Sequence, residues 1–177
     1  MKEEISVLIT EEEVDKRIRQ LGEELSRYYE GKTVQVIGIL KGGAPFACEL
    51  AKRITVPVIM DYMQVASYGA GTETSGDVKF LKDLDMSIKD KYVLIAEDII
   101  DTGVTLAAVK DILKNRGAKD IKICTLLDKP GRRILKKITA DYVGFSVPDK
   151  FVVGMGLDYD QKYRNLPYIG VLDFKEE

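Results

Sequence analysis

VLIAEDIIDTGVTL, residues Val93 to Leu106, is the stretch on which the reading of this chain turns. Val93, Leu94, Ile95 and Ala96 make a short apolar run, half of it β-branched, of the kind buried on both faces of a parallel sheet. Polarity then inverts. Glu97 and Asp98 close the predicted strand, Ile99 and Ile100 follow, and Asp101 leads into Thr102, Gly103, Val104 and Thr105, where a helix begins. In an open α/β sheet, ligands lie beyond the carboxyl ends of the strands, so three carboxylates and a small-residue turn at that edge mark a candidate site. Thr102 to Thr105 offers successive backbone N–H groups and two hydroxyls at a helix N-terminus, which suits an anion such as phosphate. Carboxylates would repel that anion unless they hold something else: ribose hydroxyls, a metal ion or a titratable ring nitrogen. An acidic N-cap on an ordinary helix is the plainer alternative, but the run is longer than a cap requires.

Working outward, the 177 residues fit one domain with a single sizeable core, expected to span 1–177. A hydrophobic content of 45% and a charged content of 32% are ordinary for a soluble globular chain, and a net charge of −2 argues against a surface built for polyanions. No apolar run approaches a membrane span, and MKEEISV lacks the apolar core of a signal peptide, so a cytoplasmic protein that binds neither membrane nor nucleic acid is expected. There is no histidine. Its absence removes Ser-His-Asp and Cys-His catalysis and the usual zinc sites; any metal should be a hard cation on oxygen ligands. Cys48, in a predicted helix, and Cys124, in a predicted strand, read as buried thiols.

Along the chain, Ile5 to Ile9 predicts a strand, and Thr10 with Glu13 forms a capping box ahead of a helix through Val14, Ile18, Leu21 and Leu25 that ends at Gly31. Thr33 to Leu40 predicts a central strand running into Lys41, Gly42 and Gly43, a turn whose glycines allow close approach of the backbone to a ligand, with Pro45 in the first helical turn. Val56 to Val65 and Val78 to Lys82 predict a hairpin whose long tip, rich in Gly, Ser and Thr, cannot fix itself by apolar burial. The helix after Thr105 should stop at Gly117. Ile121 to Leu127 predicts a strand followed by the basic turn Asp128 to Arg133. A strand over 142–147 and a last one over 168–172 complete the expectation, with Asp173 to Glu177 a frayed tail.

The central stretch resembles the phosphoribosyl-diphosphate (PRPP) motif of type I phosphoribosyltransferases, in the form used by the hypoxanthine-guanine branch, and the likeness extends from the first helix to Arg164. It implies an α/β fold with an open parallel sheet, a small hood formed by the terminal segments and a flexible loop acting as a lid at about 67–78, where Ser67 and Tyr68 would close over the substrates. It further implies that Glu97 and Asp98 hold the ribose hydroxyls and the magnesium sphere. Asp101 would face N7 of a purine as the catalytic group, and Thr102, Gly103, Val104 and Thr105 would cradle the 5′-phosphate. Val104 stands where relatives often carry Lys, a position expected to contribute its backbone. Lys41, Gly42 and Gly43 would hold pyrophosphate, often with a cis peptide before the lysine, and Arg164 would grip it with a planar fork. Lys129 would read the purine O6, with Arg133 near pyrophosphate; Phe151 would stack on the base, Val152 would bond it through its backbone, and Asp158 would hold a second magnesium beside the base.

The implied activity is purine salvage: hypoxanthine or guanine plus PRPP yields the nucleoside monophosphate and pyrophosphate with Mg2+, in a homodimer or homotetramer. Two alternatives stand beside it. One is a regulator of the same fold that binds nucleic acid with PRPP as effector, against which count the intact acidic pair, Asp101 and the lack of a basic extension. The other is a transferase acting on xanthine.

Overall fold

The computed structural model describes residues 2–67, 78–135 and 137–175. Its main sheet carries six strands in the order β4-β3-β2-β5-β6-β7, where β2 is Val34–Ile39, β3 Val58–Ser67, β4 Val78–Lys82, β5 Tyr92–Ile100, β6 Asp120–Asp128 and β7 Tyr142–Ser146. All pairings are parallel except that of β4, which turns back against β3 at the edge. A smaller antiparallel sheet joins β1 (Lys2–Ile9), β9 (Ile169–Lys175) and β8 (Val152–Val153) in the order β1-β9-β8.

Period-two burial divides the core. Leu94 and Ala96 of β5 pack with the cluster under α1 (Glu11–Tyr28) and α2 (Gly43–Ala51), whereas Val93 and Ile95 pack with the cluster that holds Leu106, Val109 and Leu113 of α3 (Val104–Asn115). Each central strand is therefore covered on both sides, as its unbroken apolar run requires. Helix α1 starts as its capping box dictates: the Glu13 carboxylate accepts from the Thr10 N–H at 2.8 Å while Thr10 Oγ1 accepts from the Glu13 N–H at 3.3 Å, an arrangement worth about 1 kcal/mol.

Four expectations need correcting. Strand β5 runs on to Ile100, so Glu97 and Asp98 sit inside it; pairing with β6 lapses at Asp98 and resumes at Ile99 opposite Leu127. Strand β9 reaches Lys175, because pairing with β1 continues to Lys2 opposite Lys175, so most of the supposed tail is strand. Strand β3 begins two residues later than expected, after Pro57, and ends at Ser67. Cys48 is exposed on α2, its Sγ 3.2 Å from Tyr62 Oη; only Cys124 is buried. Tyr68 and the rest of the expected lid up to residue 77 lie outside the described residues.

The strand order places the site. After β2 the chain moves to β3 on one side; after β5 it moves to β6 on the other. Loops diverging from two adjacent parallel strands leave a crevice at their carboxyl ends, and ligands bind there in folds of this architecture.

Candidate active site

One wall of the crevice is the turn after β2. Leu40 and Lys41 are joined by a cis peptide, and α2 starts at Gly43. Gly42 lies directly on Asp98: a Cβ there would stand 2.7 Å from the Asp98 carboxyl carbon, closer than packed side chains tolerate. From above, Gly156 (φ 100°) presses on the same turn, since its own Cβ would meet the Gly42 carbonyl carbon at 2.9 Å. The turn is thus held between an acidic floor and a glycine roof, with no room for side chains at either face.

The floor is Glu97 and Asp98. Both keep some accessible surface in the crevice yet are surrounded by protein atoms. Burial, reinforced by the neighbouring Asp98 charge, pushes Glu97 well above the usual carboxylate range. Burial also raises Asp98, opposed by its hydrogen bonding with Glu97 and the Ile99 N–H and by the Arg164 charge. Two adjacent carboxylates, one of them disfavoured in its charged form by burial and by its neighbour, form an oxygen-only donor set, which fits a hard divalent cation such as magnesium. Asp158 is not gathered with them: among the described residues no three acidic, Cys or His side chains converge as a metal cage.

The Asp158 carboxylate instead lies 2.9 Å from Arg164 Nη2 and accepts from the Gln161 N–H at 2.8 Å. Arg164 also donates through Nη1 to the Gly156 carbonyl at 2.7 Å. Lys41 Nζ and Arg164 Nη2 both donate to the Gln161 side-chain oxygen, at 3.1 and 3.2 Å. The two cations expected to serve pyrophosphate are therefore convergent.

Beyond Ile100 the chain turns through Asp101, Thr102 and Gly103, whose φ of 82° caps α3 without a side-chain hydrogen bond. The N–H groups of the first turn of a helix have no intrahelical acceptor; Val104 alone finds a long contact, 3.4 Å to Thr102 Oγ1. Leu40, Glu97, Asp98, Asp101, Thr102 and Thr105 line a cleft of about 250 Å³ into which these donors open.

A second cluster surrounds Asp101. Lys129 is 7% exposed and donates to the Lys150 carbonyl at 2.7 Å, beside Phe151, with Asp149 3.8 Å away. Arg132 Nε lies 3.1 Å from Asp101 Oδ1 in an ion pair without hydrogen-bond geometry, which leaves that buried oxygen unbonded. Its Nη1 is 3.7 Å from Asp149. In the sequence Arg132 is one charge in a basic turn and carries no local signal; its contact with Asp101 follows from the turn's lying alongside β5, where the Lys129 N–H bonds the Ile100 carbonyl. Arg133 departs from expectation. Its guanidinium donates to the Asp101 carbonyl at 3.1 Å and also bonds the Ile138 carbonyl and Asp128, so it braces the turn from behind and does not face the pyrophosphate side. Phe151 is 50% exposed, with Tyr159 edge-on at 5.7 Å, while Val152 is buried in β8.

A doubly wound sheet whose switch point holds paired carboxylates, two converging cations and a helix N-terminus is an arrangement suited to a ligand that carries both phosphate and hydroxyl groups. Comparison with known proteins makes this specific. Residues 9–160 match the phosphoribosyl transferase domain family, and the chain belongs to that family. It is 53% identical over 173 residues to the hypoxanthine-guanine phosphoribosyltransferase of Bacillus subtilis, covering 97% of this chain and 96% of that protein. It is 54% identical over 166 residues to the bifunctional protein TilS/HprT of Listeria monocytogenes, covering 94% of this chain but spanning only 26% of that longer relative. Among solved structures it superposes on a hypoxanthine phosphoribosyltransferase from Staphylococcus aureus with a TM-score of 0.91 at 49% identity, covering 95% of this chain and 91% of that one. A hypoxanthine-guanine phosphoribosyltransferase from Bacillus anthracis, with HEPES in its active site, gives 0.91 at 43% identity over 98% of this chain and 100% of that one.

Proposed function

We propose that the protein is a purine-salvage transferase that joins hypoxanthine or guanine to the ribose of PRPP. N9 of the base forms a bond to C1 of the sugar, the C1–oxygen bond breaks with its electron pair going to pyrophosphate, and the base gives up one proton. Thr102 to Thr105 present the α3 N-terminus to the 5′-phosphate, where fixed N–H dipoles offset its charge without reorganisation. Glu97 and Asp98 take the ribose hydroxyls and the magnesium sphere, and Asp158 is the carboxylate proposed for a second ion. Bound magnesium supplies electrostatic neutralisation of the diphosphate. Lys41 and Arg164 hold the leaving pyrophosphate, with the Gly42 and Gly43 turn at its side. The observation that carries this assignment is the placement of the Lys41–Gly43 turn, the Glu97–Asp98 pair and the Thr102–Thr105 helix start around a single crevice.

Purine recognition falls to the second cluster. Phe151 offers an open aromatic face for stacking, and Lys129, with a donor already spent on Lys150, keeps two for O6. Val152 follows Phe151 in β8 and is assigned a backbone contact to the base. Asp101 receives the proton at N7 as N9 attacks, a role worth about 10² to 10⁴ in rate. Adenine would set an amino donor against the lysine donor and is disfavoured. Ser67 and Tyr68 are assigned to the lid. By family likeness we place the enzyme in the cytoplasm as a homodimer or homotetramer. The test is a steady-state panel of hypoxanthine, guanine, xanthine and adenine with PRPP and Mg2+, reading nucleotide and pyrophosphate together. Preferred conversion of the first two supports the assignment; no nucleotide from any base refutes it, and a marked preference for xanthine redirects it.

A further inference from the structure

Two cations and one neutral acceptor meet at a point above Asp98. Lys41 reaches it from the turn after β2 and Arg164 from the segment after β8, 3.1 and 3.2 Å from the same side-chain oxygen of Gln161. Arg164 is also held by the Asp158 carboxylate at 2.9 Å and the Gly156 carbonyl at 2.7 Å, and Gln161 is the acceptor it shares with Lys41. The Gln161 backbone has a φ of 62° and its N–H is bonded to the Asp158 carboxylate, so the residue is anchored at its main chain while it stays exposed to solvent.

We propose that the Gln161 amide oxygen is a built-in stand-in for an oxygen of the leaving pyrophosphate, resting on the transferase function assigned above. A neutral amide is a weaker partner for ammonium and guanidinium than a phosphate oxygen, whose charge-assisted bonds are about twice as strong. It therefore keeps the two cations convergent, yields to the anion, and returns when the anion leaves. Gln161 acts through Lys41 and Arg164 and is a positioning residue. Its neutrality is the essential property: a second carboxylate here, beside Asp158 and shared by both cations, would compete with the diphosphate as a permanent counter-ion.

The test titrates inorganic pyrophosphate in the presence of Mg2+ into the whole protein by calorimetry, with the melting temperature and the hypoxanthine KM recorded for each variant. Gln161→Glu should weaken pyrophosphate by about tenfold or more, the ratio expected when a charged acceptor replaces a neutral one on two donors, and raising the salt should narrow the gap to wild type. Gln161→Ala should bind pyrophosphate as tightly as wild type or more tightly, since nothing remains to displace. The hypoxanthine KM should stay unchanged in both. If Gln161→Ala weakens pyrophosphate as much as Gln161→Glu while folding normally, the amide is scaffold or direct ligand and the stand-in is overturned; wild-type affinity in Gln161→Glu overturns it equally. Absence of saturable pyrophosphate binding by the wild-type protein would overturn the transferase function itself and the stand-in with it.

Discussion

Replacing Lys129 by Met separates the purine cluster from the rest of the crevice. The lysine is 7% exposed, so its aliphatic stem is packed and methionine fills nearly the same space, which confines the change to the ammonium. One of the three N–H bonds goes to the Lys150 carbonyl at 2.7 Å and the Asp149 carboxylate lies 3.8 Å off, so removal leaves one carbonyl short of a donor. That costs about 1 to 3 kcal/mol of stability, which in a chain of this size lowers the melting temperature by about 2 to 12 °C. The bond proposed from Lys129 to O6 of the base is also charge-assisted, worth about 1.5 to 3 kcal/mol, so kcat/KM for hypoxanthine should fall about 10- to 100-fold. On the proposed assignment PRPP is held elsewhere, by the turn at Lys41, the acidic floor and the α3 N-terminus, so its KM should stay within about twofold of wild type by the independence of distant sites. Discrimination against adenine should narrow, because the donor that rejects its amino group is gone. Initial rates with each substrate varied in turn, alongside thermal melts, give all these quantities. The reasoning fails if hypoxanthine and PRPP constants weaken together, or if the hypoxanthine to adenine ratio stays put.

Asp101→Asn should melt as wild type but lose about 10² to 10⁴ in turnover; near-normal turnover would remove Asp101 from the mechanism. Gly42→Ala drives a methyl group toward the Asp98 carboxyl carbon, an overpacking of about 1 to 3 kcal/mol that should raise the PRPP KM while sparing that for hypoxanthine; an unchanged PRPP KM contradicts the geometry. Glu97 binds its proton more tightly folded than unfolded, so stability from this group is full below the ordinary value of 4.5 and drains away as pH rises through the raised value. Melting curves of ligand-free protein across that window should therefore decline more steeply for wild type than for Glu97→Gln, and parallel declines would count against a buried acidic pair.

The parts of this architecture that sequence made legible are those governed by local periodicity. Val93 to Ala96 can only be a strand covered on both sides, Thr10 and Glu13 can only open a helix, and the Lys41-Gly42-Gly43 and Thr102-Gly103 turns betray close backbone approach through their glycines. Boundaries were harder. Nothing local distinguishes Glu97 and Asp98 as the interior of a strand, because the pairing of Ile99 and Ile100 with Leu127 and Asp128 that extends β5 is a long-range contact; the continuation of β9 to Lys175 depends likewise on a partner at the other end of the chain. Arg132 and Arg133 look equivalent in sequence, yet one faces the Asp101 carboxylate and the other its backbone carbonyl. Only the path of the turn after β6 separates them. Cys48 differs for a related reason: free cysteines are usually buried, but this one occupies the outward face of α2.

The small sheet orders events in time. Among the described residues strand β8, which follows directly on Phe151, pairs only with β9, and β9 pairs in turn with β1. The pairing of β1 with β9 joins segments far apart in the chain, so it costs more loop-closure entropy than the pairing of β2 with β5 and closes after it, securing the wall that carries Phe151 late in folding.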